Sequence, residues 1–248
     1  MTDQLAWRKK FGVLAPSTNS IVEPDFNRMG VPGVTPLFAR IHITDPDLSS
    51  EAQMEKLRVQ LDDNIDRAID QVCTAEVDYM VMGMSAETFW DGKEGNERFK
   101  SRVKERSGGL DCATGAEACE RALHNFGVRT IGVVTPYQPN GDAQVIKFFT
   151  ELGFDVVKLI GLKRPTAVSI AHTTQDELRG ALLELNEAEP DALVQVGTNL
   201  SMVGLAAEAE RWLHKPVVAI NAATWWMALR DNGIADKLYG FGRLLEEF

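Results

Sequence analysis

Short apolar runs alternate with longer segments of helical period along the 248-residue chain. The runs are rich in Val, Ile and Leu without polar alternation, which is typical of parallel strands covered on both faces. They predict strands at 11–16, 35–43, 78–83, 130–136, 155–161, 191–197 and 216–221. After the second strand, apolar residues recur every three or four positions from Leu57 to Val72 and predict a helix with one buried face.

Two pairs of stretches repeat one pattern. FGVLAPSTN (11–19) and IGVVTPYQPN (131–140) are apolar runs closed by Pro and followed by small polar residues. DYMVMGMS (78–85) and DALVQVGTN (191–199) are runs that begin after Asp and end in Gly before a polar turn. Strand–helix alternation with such a repeat predicts an α/β fold of two pseudo-symmetric lobes. Each lobe has a parallel sheet, and a ligand cleft lies between the lobes.

The crossing between the lobes is predicted in ERSGGLDCATG (105–115), a polar stretch that interrupts the alternation. We assign residues 1–112 to lobe one and 113–216 to lobe two. Two-lobed folds of this kind often cross twice, so the last strand and helix, 217–248, are predicted to return to lobe one.

Composition excludes several classes of protein. A hydrophobic content of 44% and a charged content of 25% are those of an ordinary globular chain. The net charge of −10 disfavours nucleic acid and anionic membranes as partners. Three cysteines are too few and too irregular for a disulfide framework or a zinc site, which fits a reducing compartment. The first apolar run is too short for a signal peptide, so we expect a cytoplasmic protein.

Neutral hydrogen-bonding residues follow the strands of the repeat. Because the carboxyl ends of parallel strands share one edge of a sheet, these residues are predicted to line the cleft. Preorganised N–H and O–H donors suit a carboxylate or a developing enediolate. The alternative is that the same residues only cap the following helices. The residues are Ser17, Thr18, Asn19, Gly83, Met84, Ser85, Tyr137, Gly197, Thr198 and Asn199.

A proton donor or base is harder to identify. Glu87 follows Ser85 closely, and a carboxyl group in an apolar cleft has a raised pKa suited to proton transfer. The alternative is a solvent-facing acid in the first helical turn. His42 is expected in the cleft wall and His172 in a loop. The acidic stretch 87–97 matches no calcium loop, so no metal site is predicted.

The stretches FGVLAPSTNSIVEPDF, TPLFARIHI, FGVRTIGVVTPY and VGTNL, in this order, resemble the aspartate/glutamate racemase superfamily. The nearest branch is that of maleate cis–trans isomerases and arylmalonate decarboxylases. The resemblance implies two Rossmann-like lobes, a cofactor-free site between them, small carboxylate substrates and a homo-oligomer. It also implies that the positions matching Ser85 and Tyr137, with turn amides, hold the carboxylate that becomes an enediolate.

The family usually carries two catalytic cysteines at mirrored strand ends, and its decarboxylases keep only the second. The matching residues here are Gly83 and Gly197, so the two-thiol mechanism is not expected. We therefore expect a cofactor-independent decarboxylase, isomerase or hydrolase acting on a small carboxylate or cyclic imide-like compound. Ser85 and Tyr137 would hold the oxyanion, and Glu87 would move a proton. An inactive homologue that binds a carboxylate metabolite is the alternative.

Overall fold

The computed structural model describes residues 3–45, 47–48 and 51–248, in which strands and helices alternate. The strands are β1 (Lys9–Pro16), β2 (Val34–Ile41), β3 (Tyr79–Met82), β4 (Cys112–Ala113), β5 (Thr130–Thr135), β6 (Asp155–Gly161), β7 (Ala192–Gln195) and β8 (Val217–Ala219). The helices are α1 (Val22–Arg28), α2 (Glu51–Cys73), α3 (Ala86–Phe89), α4 (Gly92–Arg106), α5 (Gly115–Phe126), α6 (Pro139–Glu151), α7 (Ala167–Ile170), α8 (Gln175–Asn186), α9 (Val203–Leu213), α10 (Ile220–Asp231) and α11 (Arg243–Glu247). The seven predicted strands are confirmed, whereas the two-residue β4 gave no apolar run to detect.

The strands form two four-stranded parallel sheets with the orders β2-β1-β3-β4 and β6-β5-β7-β8. The two orders are equivalent when β1 to β4 are matched with β5 to β8, which confirms the pseudo-symmetric α/β fold. In each sheet the two strands of the sequence repeat lie side by side at the centre. Their carboxyl ends therefore bring four polar turns to a common region between the lobes.

Two helices follow the sequence pattern closely. On α2, the residues from Leu57 to Val72 that recur at helical spacing are buried against the first sheet. At the start of α8, Thr174 accepts the Glu177 N–H, and the Glu177 side chain accepts the Thr174 N–H, as in a capping box. Within the described residues, no helix has both the length and the apolar character needed to cross a bilayer.

The end of the chain joins both lobes. Strand β8 pairs in parallel with β7, so it lies in the second sheet and not in lobe one as its position after 216 suggested. The following helix, α10, packs on α5, α1 and β3, and its Trp225 is fully buried. The Trp225 indole N–H donates to the Met29 carbonyl at 2.8 Å, and the ring meets Phe11 edge-on. The chain therefore crosses back to the first lobe between β8 and α10, because α10 carries the large apolar surface that packs against the first sheet.

Candidate active site

A cavity opens between the lobes at the carboxyl ends of β1, β3, β5 and β7. It has a water-accessible volume of about 120 Å³, and its surface is mostly apolar. The apolar wall comes from lobe one and from helix α7 of lobe two. Its members include Ile43, Leu57, Leu61, Phe89, Trp90 and Ile170.

A hydroxyl pair joins the two lobes at the polar end of this cavity. Ser85 Oγ lies 2.7 Å from the phenol oxygen of Tyr137, at hydrogen-bonding distance. The backbone N–H of Thr198 donates to Ser85 Oγ at 3.3 Å. All three residues line the cavity. Two hydroxyls and an amide N–H from three strand ends thus converge on one place.

The local structure explains why the Ser85 hydroxyl is available. The Gly83 N–H donates to the Leu14 carbonyl at 2.7 Å, which prolongs the sheet ladder one residue beyond β3. Ser85 then precedes α3 as its N-cap, yet its side chain makes no capping hydrogen bond. The alternative that Ser85 only caps a helix is therefore wrong: its hydroxyl crosses the cleft to Tyr137.

Asn19 and Thr198 close the lobes against each other behind that pair. The Asn19 amide donates to Thr198 Oγ1 at 3.0 Å, and Thr198 Oγ1 donates to the Gly83 carbonyl at 3.1 Å. Asn19 Oδ1 also accepts the N–H groups of Ile21 and Val22, at the start of α1. Asn19 is thus both a cap and a bridge between the lobes, and it is only 4% exposed.

The other predicted donors are held by protein groups. Asn199 Oδ1 accepts the Ser20 N–H at 3.0 Å, and its Nδ2 donates to the Ala167 carbonyl at 2.9 Å. The Ser17 hydroxyl exchanges hydrogen bonds with the backbone of Ile43, both at 3.1 Å. Ser17 is exposed and is not among the described residues that line the cavity, whereas Thr18 and Met84 line it.

Gly197 lines the cavity, and its backbone has a φ of +104°, in a region that residues with a side chain avoid. Gly83 has no such φ and contributes its backbone carbonyl to Thr198. The three thiols lie elsewhere in the fold, and no cysteine is among the described lining residues. Burial raises the pKa of Cys112 to about 12 and also raises that of Cys119.

Glu87 lies beside the cavity but is not one of its described lining residues. Burial raises the pKa of its carboxyl group, and Asp62 raises it further, while Arg58 and Arg102 lower it. Of these charged residues, Asp62 and Arg58 lie on α2 and Arg102 lies on α4. The predicted histidines, His42 and His172, are both exposed.

The phenol of Tyr137 is held in its neutral form. Burial raises the pKa of Tyr137, the hydrogen bond with Ser85 lowers it, and the carboxyl groups of Asp142 and Glu87 raise it. The net shift is upward, so at neutral pH the phenol keeps the proton that a bound oxyanion would accept.

Arg164, which was not predicted from the sequence, is the only formally charged side chain among the described residues that line the cavity. Its Nη2 pairs with Glu177 at 2.6 Å, and its buried Nε has no hydrogen-bond partner. Arg164 follows β6 at the same edge as the other turns. The donors were predicted because they follow the carboxyl ends of parallel strands. Applied to β6, the same rule would also have predicted Arg164.

Within the described part of the chain, no three His, Cys, Asp or Glu side chains are grouped so that they could hold a metal ion. The predicted lack of a metal or cofactor stays a prediction.

Comparison with known proteins agrees with the fold. The family model of arylmalonate decarboxylase matches residues 58–245. A maleate isomerase of Pseudomonas putida is 22% identical over 247 residues, covering 95% of this chain and 96% of that protein. An arylmalonate decarboxylase of Bordetella bronchiseptica is 28% identical over 171 residues, covering 67% of this chain and 70% of that protein.

Solved structures show the same fold. A maleate cis–trans isomerase mutant of Nocardia farcinica, with a covalently bound succinylcysteine intermediate, superposes with a TM-score of 0.86 at 20% identity. The match covers 97% of this chain and 99% of that one. A liganded double mutant of arylmalonate decarboxylase superposes with a TM-score of 0.82 at 20% identity, covering 97% of this chain and 100% of that one. With the family model matched over most of its length, the chain belongs to the arylmalonate decarboxylase family.

Proposed function

We propose that this protein is a cofactor-independent decarboxylase that acts on a small malonate-type acid with an apolar substituent, without a catalytic thiol. The observation that carries this proposal is the Ser85–Tyr137 pair, 2.7 Å apart across the cleft. It is supported by the mostly apolar wall, which suits an aryl or alkyl substituent and a carboxyl group that leaves as neutral carbon dioxide. The cytoplasmic location and homo-oligomeric state expected from sequence remain part of the proposal.

In the proposed reaction, one carboxylate of the substrate accepts hydrogen bonds from Ser85, Tyr137 and the Thr198 N–H. The bond between the α-carbon and the other carboxyl group breaks, and carbon dioxide leaves. The electron pair moves into the bound carboxylate, which becomes an enediolate. Donors fixed beforehand stabilise this added charge without reorganising, an effect of about 10²–10³-fold in rate for one donor.

The leaving carboxylate is placed against the apolar wall of Leu57, Leu61 and Trp90. Water hydrates a carboxylate strongly, whereas neutral carbon dioxide loses little by being in apolar surroundings. The wall therefore favours the loss of charge at this end, while the donors favour the gain of charge at the other. Although the chain has a net charge of −10, its local N–H and O–H dipoles would bind an anion in the cavity.

The α-carbon must then take up a proton, and the cavity supplies no thiol for it. A water molecule in the cavity is proposed as the immediate donor. Glu87, which does not line the cavity but whose pKa is raised by burial, is proposed as the group that returns the proton to that water. Asn19 and Asn199 orient the substrate indirectly, by holding the turns that carry the donors.

An assay of the purified protein with phenylmalonate tests this function. Proton NMR in deuterium oxide is expected to show phenylacetate with deuterium on the α-carbon. Tyr137→Phe should lower turnover about 10²-fold or more, because one donor to the enediolate is lost. Tyr79→Phe is the matched control, since the Tyr79 phenol is bound to Asp231 outside the cavity. Full turnover by Tyr137→Phe would exclude the mechanism.

An inactive homologue that binds a carboxylate is the second candidate. The observation that favours it is that no cysteine is among the described lining residues. In that case phenylacetate and maleate would raise the melting temperature of the protein, while no product would form from phenylmalonate or maleate.

A further inference from the structure

We propose that Asp142 is a positioning residue for Tyr137, acting through the hydroxyl group of Thr135. The inference rests on the proposed role of Tyr137 as a donor to the substrate carboxylate. It concerns a buried acid in helix α6 that does not line the cavity.

The three residues are linked by hydrogen bonds. Thr135, the last residue of β5, is fully buried. Its Oγ1 donates a short hydrogen bond to Asp142 Oδ1 and accepts the backbone N–H of Tyr137 at 3.1 Å. Since the Thr135 proton goes to the carboxylate, the oxygen lone pair is directed to the Tyr137 N–H. Asp142 therefore orients the Thr135 hydroxyl group, and this hydroxyl group holds the turn that carries Tyr137.

Two glycines leave room for this arrangement. A Cβ on Gly161, the last residue of β6, would lie 2.1 Å from Asp142 Oδ2. A Cβ on Gly141 would lie 2.8 Å from the Cβ of Tyr137. Both distances are too short for a residue with a side chain. The two glycines therefore leave the space that the Asp142 carboxylate and the Tyr137 side chain occupy.

A helix-terminal role alone does not account for Asp142. An acid in the first turn of α6 interacts favourably with the helix dipole wherever it points. This carboxylate instead turns to β5, where it is almost completely buried, at 9% exposure. Burying an acid costs free energy, which is offset here by the hydrogen bond from Thr135. The location is explained if the precise placement of Tyr137, two residues after Thr135, matters for the reaction.

The charge of Asp142 acts on the same phenol. Burial raises the pKa of Asp142, while the Thr135 hydrogen bond and the charge of Lys163 lower it. Asp142 and Glu87 both raise the pKa of Tyr137. An ionised Asp142 therefore helps to keep the phenol protonated as well as placing it.

Four single variants test the linkage by steady-state kinetics with phenylmalonate. Asp142→Ala and Thr135→Val should lower kcat by about 10–10²-fold with KM within about threefold, because a small displacement of a catalytic group has effects of this size. Asp142→Asn and Thr135→Ser keep an acceptor and a hydroxyl, so they should retain most of the activity. Equal activity in all four, at the wild-type level, would overturn the inference.

The decisive comparison is made in the Tyr137→Phe background. If Asp142 acts through the phenol, adding Asp142→Ala to Tyr137→Phe should leave kcat and the Kd of phenylacetate unchanged. A further loss in the double variant would show a general structural role and would overturn the inference. If Asp142→Ala does not fold, Gly161→Ala displaces the same carboxylate from the other side and should give the same result.

Failure of the inference and failure of the proposed function are distinguishable. Wild-type turnover by Tyr137→Phe would remove the function of the phenol itself. A slow Tyr137→Phe variant together with fully active Asp142→Ala and Thr135→Val variants would remove only the role of Asp142.

Discussion

A Cβ added to Gly197 would lie 2.6 Å from the Cδ of Pro136, across the strand ends of β7 and β5. The φ of Gly197, +104°, already disfavours any residue with a side chain. Gly83, its counterpart in the first lobe, has no positive φ, and its added Cβ would meet the Leu14 carbonyl at 3.0 Å. The two glycines are therefore not equivalent: the backbone at Gly197 has a shape that a cysteine would not fit without rearrangement.

Gly197→Ala is expected to destabilise the protein by about 1–3 kcal/mol, through strained backbone and the contact with Pro136. Gly83→Ala, the matched control, should cost less, because its neighbours need to move by only a few tenths of an ångström. Urea unfolding of both variants measures the difference. Equal stability of the two variants would contradict this account of Gly197.

Ser85→Ala should also lower turnover, because Ser85 both contacts Tyr137 and receives the Thr198 N–H. We expect a loss of about 10-fold or more in kcat, because one donor to the enediolate is lost while Tyr137 and the Thr198 N–H remain. Ser17→Ala is the matched control, because the Ser17 hydroxyl pairs with the backbone of Ile43. Stopped-flow or NMR rates with phenylmalonate compare the two variants. A loss of turnover in Ser17→Ala as large as that in Ser85→Ala would contradict the proposed site.

Arg164 is expected to select substrates by charge at the rim of the cavity. The Arg164 hydrogen bond lowers the pKa of Glu177 to about 2, and Thr174 contributes, so the ion pair persists throughout the neutral range. Arg164→Gln should raise KM about 10–10²-fold for a phenylmalonate with an added ring carboxylate, which is the value of one charged hydrogen bond. Phenylmalonate itself should be much less affected. Lys163→Gln, at the exposed neighbouring residue, is the control, and identical KM changes for both substrates would exclude selection by Arg164.

The buried carboxyl group of Asp25 should make stability depend on pH. Burial raises its pKa above the usual 3.8, while the Asn221 hydrogen bond and Arg28 lower it. A raised pKa means that the folded protein binds the proton more tightly, so this group lowers stability as pH rises from 3.8 through its folded pKa.

Asp25→Asn removes that penalty and keeps an acceptor for the Asn221 amide, which donates to Asp25 at 2.8 Å. The melting temperature of the variant, relative to wild type, should therefore increase as pH rises from 4 to 8. A pH-independent difference between the two proteins would contradict an Asp25 pKa raised in the fold. Asp236→Asn serves as a control of opposite sign, since hydrogen bonds from Arg8 lower the pKa of Asp236.

The sequence by itself determined the architecture and the place of the site. Continuous apolar runs and helical spacing are local properties, so β1, β3, β5 and β7 and the buried face of α2 were predictable from them. The rule that parallel strands share a carboxyl edge then placed Ser85, Tyr137 and Thr198 together.

Only the tertiary structure decided what each polar group does. Ser17 is engaged by the backbone at Ile43, and Asn199 by Ala167, partners that no spacing in the sequence reveals. The same holds for β8, which stays in the second sheet. The physical reason is that distant segments compete for each hydroxyl, amide or carboxyl group: Ser17 and Asn199 are held by backbone groups, whereas Ser85 and Tyr137 meet each other in the cavity. That competition is settled by packing between lobes, not by the local pattern that makes a strand or a helix.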